Sequence, residues 1–259
     1  MAHIRRIRER WTHRAGVTIL AFAGAELITT EHAGACCRQI ERVAQRARII
    51  TLDEAVRGLS REDHSVDNTV VITVDDGTEA FASSVVPFLV RLHVPATLYL
   101  ATDVVELQRR LGTGAATMTW SAVGEALETS LVTIGSRGHT GASLDRAGAA
   151  AASAEIGRSI ELIVQRTGRT PMHFAYPGAL SGSSEAREVV SQHFRSASVA
   201  GGGINAVGRT DLHHLVRPVL TPRTRPIDVD ALIRPGRSPR SRGRGPSAAW
   251  PGALDAPGR

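Results

Sequence analysis

The chain has 259 residues, enough to bury a sizeable core in one domain. Hydrophobic residues make up 42% and charged residues 22%, which excludes a chain too polar to fold and offers no stretch able to span a membrane as a helix. All 31 basic residues are arginine; six of them from Arg234 to Arg259, against Asp255 alone, carry most of the +6 charge, so the body is near neutral and argues against a nucleic-acid-binding core.

The first segment, MAHIRRIRERWTHR, is basic and runs into the apolar AGVTILAFAGA. This order resembles a short signal peptide. The rival reading makes Val17 to Phe22 a buried, β-branched first core strand. The strand reading is the one adopted, with a cytoplasmic location; secretion is its alternative. Cys36 and Cys37 are adjacent. They give no disulfide framework and no zinc spacing, and read as small apolar residues on a helix over about 34–45. Residues 48–51 are short and extended. Thr51 and Glu54 have the spacing of a capping box, which predicts a helix start.

TVVITVDD, Thr69 to Asp76, is the clearest strand: a buried run closed by two carboxylates and Gly77. Phe81, Val85, Phe88, Leu89 and Leu92 recur at helical spacing, with Pro87 either breaking that run or opening its second half. Pro95 to Ala101 and Leu131 to Ser136 are further strands. A long helix is predicted over 145–167, with Ile156, Ile160, Ile163 and Val164 as its apolar stripe and Gly168 as its C-cap. A strand end at Met172 to Pro177, a helix at Glu185 to His193, a strand at Phe194 to Val199 and a last strand at Leu215 to Leu220 complete the pattern. Strands alternate with helices throughout, which predicts a parallel α/β fold of about seven strands, nearer a barrel than an open sheet. Three units follow: a basic N-terminal extension, 1–16; one domain, 17–234; and a Pro/Gly/Arg-rich tail, 235–259. The tail is expected to be disordered, because it cannot bury enough apolar area to offset chain entropy. As a contact for nucleic acid or an anionic surface, the tail is the weakest functional reading, and salt dependence is its test.

Asp75 and Asp76 hold the most informative chemistry. Two carboxylates at the end of a buried strand are costly unless a cation or hydrogen bonds compensate them. One reading makes them a metal ligand and a general base. The other makes Asp76-Gly77 a tight corner ending the strand.

TVDDG, then VPATLYL, then IGS-x-x-H, then FAYPG, in that order and at these distances, resembles the polysaccharide deacetylase family, the NodB-homology carbohydrate esterases. Val74 stands at the Phe position of that family's T-F-D-D-G motif. The resemblance covers about Val17 to Leu220. It implies a distorted (β/α) barrel and a divalent, zinc-type metal if the protein is active, or no metal if it is not. It also implies acetylated carbohydrate as the partner: chitin-like oligomers, peptidoglycan or xylan. By the same resemblance Asp75 is the base and Asp76 a metal ligand. Tyr176, Pro177 and Gly178 wall the groove, or else form only a strand end with a Tyr-Pro turn; in a non-catalytic relative Trp120 and Tyr176 would line a carbohydrate groove. His213 or His214, by location, is the general acid. The implied function is hydrolysis of C–N or ester bonds of acetylated carbohydrate.

The second motif departs from the family pattern, which runs close to G-S-H-T-x-T-H-x-x-L. Aligning Gly135-Ser136 and Leu144 places Arg137 and Gly141 at the two histidine positions. A guanidinium stays protonated and cannot ligate a cation, and glycine has no side chain to offer. His139, between them, is the remaining ligand candidate beside Asp76. Further departures are Phe22-Ala23, where related chains often read Tyr-His, and Gly178, where a second aromatic is common. The alternative function is therefore an inactive barrel that binds carbohydrate or serves a structural role. In it the Arg137 guanidinium supplies the charge of the metal through an ion pair with Asp75 and Asp76.

Overall fold

The computed structural model describes residues 16–178 and 181–234. The N-terminal extension, apart from Gly16, and the basic tail lie outside the described residues. The first element, β1 (Val17–Phe22), is fully buried along its length. Helix α1 (Thr30–Ala44) starts earlier than its apolar spacing predicts, because Thr29 caps it: its side-chain oxygen accepts the His32 amide. Cys36 and Cys37 are buried thiols on this helix. A short strand, β2 (Arg48–Ile49), leads to α2 (Leu52–Ser60), where Thr51 accepts the Glu54 amide as the capping box predicts.

Strand β3 (Thr69–Asp75) is buried throughout. A five-residue π turn, Phe81–Val85, then passes into α3 (Val86–Leu92). Pro87 follows the π turn within a helical run that is continuous from residue 79, and it cannot donate the amide proton that a regular helix would use there. Next come β4 (Ala96–Leu100), α4 (Thr102–Glu106), α5 (Trp120–Glu128), β5 (Val132–Ser136) and α6 (Ala149–Thr167). Gly168 ends α6 with φ +66°, the left-handed cap its position predicts. The apolar stripe of α6 differs at one place: Leu162 is buried and Val164 is exposed. The remaining elements are β6 (His173–Ala175), α7 (Ser184–His193), β7 (Ser196–Ala200), β8 (Leu215–Arg217), β9 (Val219–Leu220) and α8 (Pro226–Ile233).

The strands pair in the order β8-β7-β6-β5-β4-β3-β1-β9, with β2 off this path against β3, and every pairing is parallel. The single predicted last strand is two. Pro218 has no amide proton to continue a ladder, and it separates β8 from β9. β8 pairs with β7, while β9 crosses to β1, so one stretch of chain joins both edges of the sheet. The result is a nearly closed (β/α) barrel.

Side chains alternate between barrel interior and helix layer. Ile72 and Val74 pack outward in one cluster with Ile40 and Val43 of α1 and Leu89 of α3. Val71 faces the other way and packs with Val17, Ile19, Tyr99 and Leu215. Each fully buried aliphatic side chain contributes about 1.5–3 kcal/mol. Thr73 and Asp75 continue the inward row of Val71, so the interior changes from apolar to polar toward the C-terminal ends of the strands.

Candidate functional site

Asp75 is the last residue of β3, points into the barrel and is completely buried. Asp76 would point outward if the strand continued. Instead its backbone turns left-handed, with φ +72°, and its amide donates to the Tyr99 carbonyl at 2.9 Å. That turn brings two neighbouring carboxylates to one place. It is a strained conformation for a non-glycine residue.

Two guanidinium groups meet these carboxylates. Arg137, the first residue after β5, places Nε 3.0 Å from Asp76 Oδ1 and Nη1 3.3 Å from Asp75 Oδ2. Arg217, the last residue of β8, donates from Nη1 to Asp75 Oδ1 at 2.9 Å and to Thr73 Oγ1 at 2.9 Å, and from Nη2 to Asp75 Oδ2 at 3.4 Å. Its guanidinium carbon also lies 4.9 Å from the centre of the Tyr99 ring. Both arginines are 1% exposed. Two cations and two anions thus share a sealed volume with no net formal charge. Such a group is tolerable in a low dielectric only because its members face each other.

Burial pushes the Asp76 carboxyl above its usual range; Arg137 acts against this, and the Asp75 charge reinforces it. Burial, the largest single effect, acts to lower the Arg217 guanidinium, but the charges of Asp75, Tyr99 and Asp76 and the hydrogen bond to Asp75 together hold the group above its usual value. Burial pushes the Tyr99 phenol up to about 12, with Arg217 opposing. The Tyr99 hydroxyl lies 3.3 Å from Ser198 Oγ.

The residues present do not fit a divalent metal. Among the described residues Asp76 Oδ2 is buried and meets no hydrogen-bond partner. A catalytic zinc needs three protein ligands. Among the described residues no group of three or more His, Cys, Asp or Glu could hold a metal ion. The place beside the carboxylates already holds Arg137. His139 is half-buried in the loop after β5, and its Nδ1 bonds Thr102 Oγ1 at 2.9 Å. Burial lowers its pKa.

The remaining expected residues are placed elsewhere. His213 and His214 immediately precede β8. Since all strands are parallel, they lie toward the N-terminal end of the barrel, opposite to the carboxylates. His213 Nε2 there meets the Phe194 carbonyl at 2.9 Å, and neither histidine can serve as general acid at Asp75. Tyr176 is 1% exposed and packs edge-on against Phe174, with ring centres 5.2 Å apart. A buried ring has no face to offer a sugar, so Tyr176 is core and not groove wall. Pro177 is buried beside it, and Gly178 is half-buried with φ +76°. Trp120 opens α5, and its indole N–H donates to Glu106 Oε2 at 2.7 Å. It packs against the outer apolar cluster.

A sequence profile of the polysaccharide deacetylase family matches residues 62–194. The chain belongs to that family. Several solved structures resemble this polysaccharide deacetylase family member. Streptococcus pyogenes deacetylase PplD, in complex with acetate, gives a TM-score of 0.72 at 17% identity, covering 85% of this chain and 99% of its own. IcaB from Ammonifex degensii gives 0.69 at 19% identity, over 85% and 97%. BC0361, a polysaccharide deacetylase from Bacillus cereus, gives 0.69 at 16% identity, over 85% and 69%. At these identities the likeness is one of fold. No curated protein sequence matches the chain.

Polysaccharide deacetylases are generally metal-dependent, and this member keeps the carboxylate pair while an arginine stands against it. The resemblance in sequence led to Arg137 and its ion pair. Arg217 was missed. Its signal is an arginine inside LVRPVL, since a charge in an otherwise apolar strand requires a buried partner.

Proposed function

We propose that this chain is a non-hydrolysing member of the polysaccharide deacetylase family, in which the Arg137 guanidinium takes the part of the catalytic cation. The observation that carries this reading is the contact of Arg137 with both Asp75 and Asp76 in a sealed interior. A general base must reach the proton it removes. Asp75 is fully buried, and its two oxygens are engaged by two guanidiniums. A metal-activated water would need ligands that Arg137 and Gly141 do not supply. The ligand class of this reading is the acetylated carbohydrate on which its homologues act, bound without turnover.

The test is acetate release from acetylated chitooligosaccharide and acetylated xylan by the full chain, with zinc, with cobalt and with chelator. No release above the blank is expected under any condition, and calorimetry with zinc is expected to show no binding. Metal-dependent release would overturn the reading. Retention on chitin or peptidoglycan tests the carbohydrate contact, and failure to bind either would leave a structural role in its place.

A further inference from the structure

The loop that carries Arg137 is fastened by one carboxylate. Glu155, in the second turn of α6, accepts through Oε1 from the Thr140 amide at 2.7 Å, the Thr140 hydroxyl at 2.9 Å and the Gly141 amide at 3.2 Å. The same oxygen would lie 2.7 Å from a Cβ placed on Gly138. Gly138 and Gly141 both have positive φ, +87° and +73°, so this wrapping around Glu155 uses backbone that side-chain-bearing residues rarely adopt.

Two further clasps hold the loop. Ser136 Oγ accepts the Gly138 amide at 3.1 Å and contacts Ser159 Oγ of α6 at 2.8 Å. On the other side Thr102 and Asp103 at the start of α4 donate to the Gly138 and His139 carbonyls, at 3.3 and 2.8 Å. The His139 ring follows its backbone toward Thr102.

We propose that Glu155 is a positioning residue that locks this loop around the internal Arg137 cation, so that a metal site cannot be rebuilt by changing residues 137 and 141 alone. The inference rests on the non-hydrolytic reading above. A histidine at position 141 would carry a side chain at φ +73° while Glu155 holds its amide. The loop must first be released.

The experiment compares three full-length proteins: the natural chain, the Arg137→His/Gly141→His variant, and the same variant with Glu155→Ala. Zinc binding is read by calorimetry, and the zinc-induced shift of Tm is read alongside. The expected result is no zinc binding by the first two and measurable zinc binding by the third. Equal binding by both variants would overturn the proposal, as would absence of binding by a cooperatively folded triple variant. Zinc binding by the natural chain would instead overturn the reading of the previous subsection. The Glu155→Ala change in the otherwise natural chain keeps the test open if the triple variant does not fold. Amide exchange at Thr140 and Gly141 is expected to accelerate at least tenfold there, and unchanged protection would overturn the lock.

Discussion

Arg137 Nε stands 3.0 Å from Asp76 Oδ1, and the two side chains are nearly closed to water. Removing one partner of such a pair leaves the other as an uncompensated buried charge, which costs about 3–5 kcal/mol. Arg137→Ala is therefore expected to lower stability by about that amount in urea unfolding. Adding Asp76→Asn to Arg137→Ala should recover part of the loss, because the two sites are coupled. Loss of less than about 1 kcal/mol, far below the range for a broken buried pair, would show that the contact does not hold the fold.

Both tyrosines of the chain are buried, and burial pushes each phenol up to about 12. A folded value above the unfolded one, near 10, means stability fully present below about pH 10 and lost as pH rises toward the folded value. Absorbance titration near 295 nm is expected to show almost no phenolate at pH 10, where a free phenol is about half ionised. Ionisation should instead accompany alkaline unfolding. A normal titration curve in the folded protein would contradict the buried placement of Tyr99 and Tyr176.

Asp53, in the first turn of α2, meets His173 Nε2 at 3.3 Å and Arg195 at 3.7 Å. The His173 imidazole beside it holds its carboxyl below the usual range, with the Arg195 charge assisting. The folded value lies below the unfolded one, so the contribution is present above about pH 4 and lost as pH falls through the folded value. Asp53→Asn should flatten the acid limb of the stability curve below about pH 4, measured by urea midpoints across pH. An unchanged acid limb would argue against the contact.

A Cβ on Gly24 would lie 1.7 Å from the Asp75 carbonyl oxygen, a backbone atom that cannot swing aside. Gly24→Ala is expected to destabilise by at least about 1–3 kcal/mol, the usual range for overpacking. Thermal unfolding checks this, and a neutral result would mean that the turn after β1 moves freely away from the carboxylates.

The strands were legible in the sequence because buried parallel strands are apolar, β-branched runs, and β1, β3, β4 and β5 are such runs. Capping chemistry fixed the start of α2 and the end of α6. Spacing along the chain does not say toward which end of a barrel a residue lies. His213 and His214 were read as site candidates from their nearness to the last strand, yet they precede it, and the site follows it. Aromatic type does not reveal burial either, so Tyr176 read as groove wall and proved to be core. Arg217 was passed over because its partner, Asp75, is 142 positions away. Only the closed sheet brings the two together.

That closure sets an order of events during synthesis. Asp75 emerges from the ribosome long before Arg217, and the β1 edge stays open until Pro218 carries β9 across to it. A nascent chain that stops short of residue 215 would hold an exposed strand edge and a carboxylate without its second cation. Both favour delay or association with other chains over completion of the barrel. Truncations within the last strands should therefore do far more harm than their few residues imply, because the six residues from Leu215 to Leu220 complete the barrel and balance its interior charge.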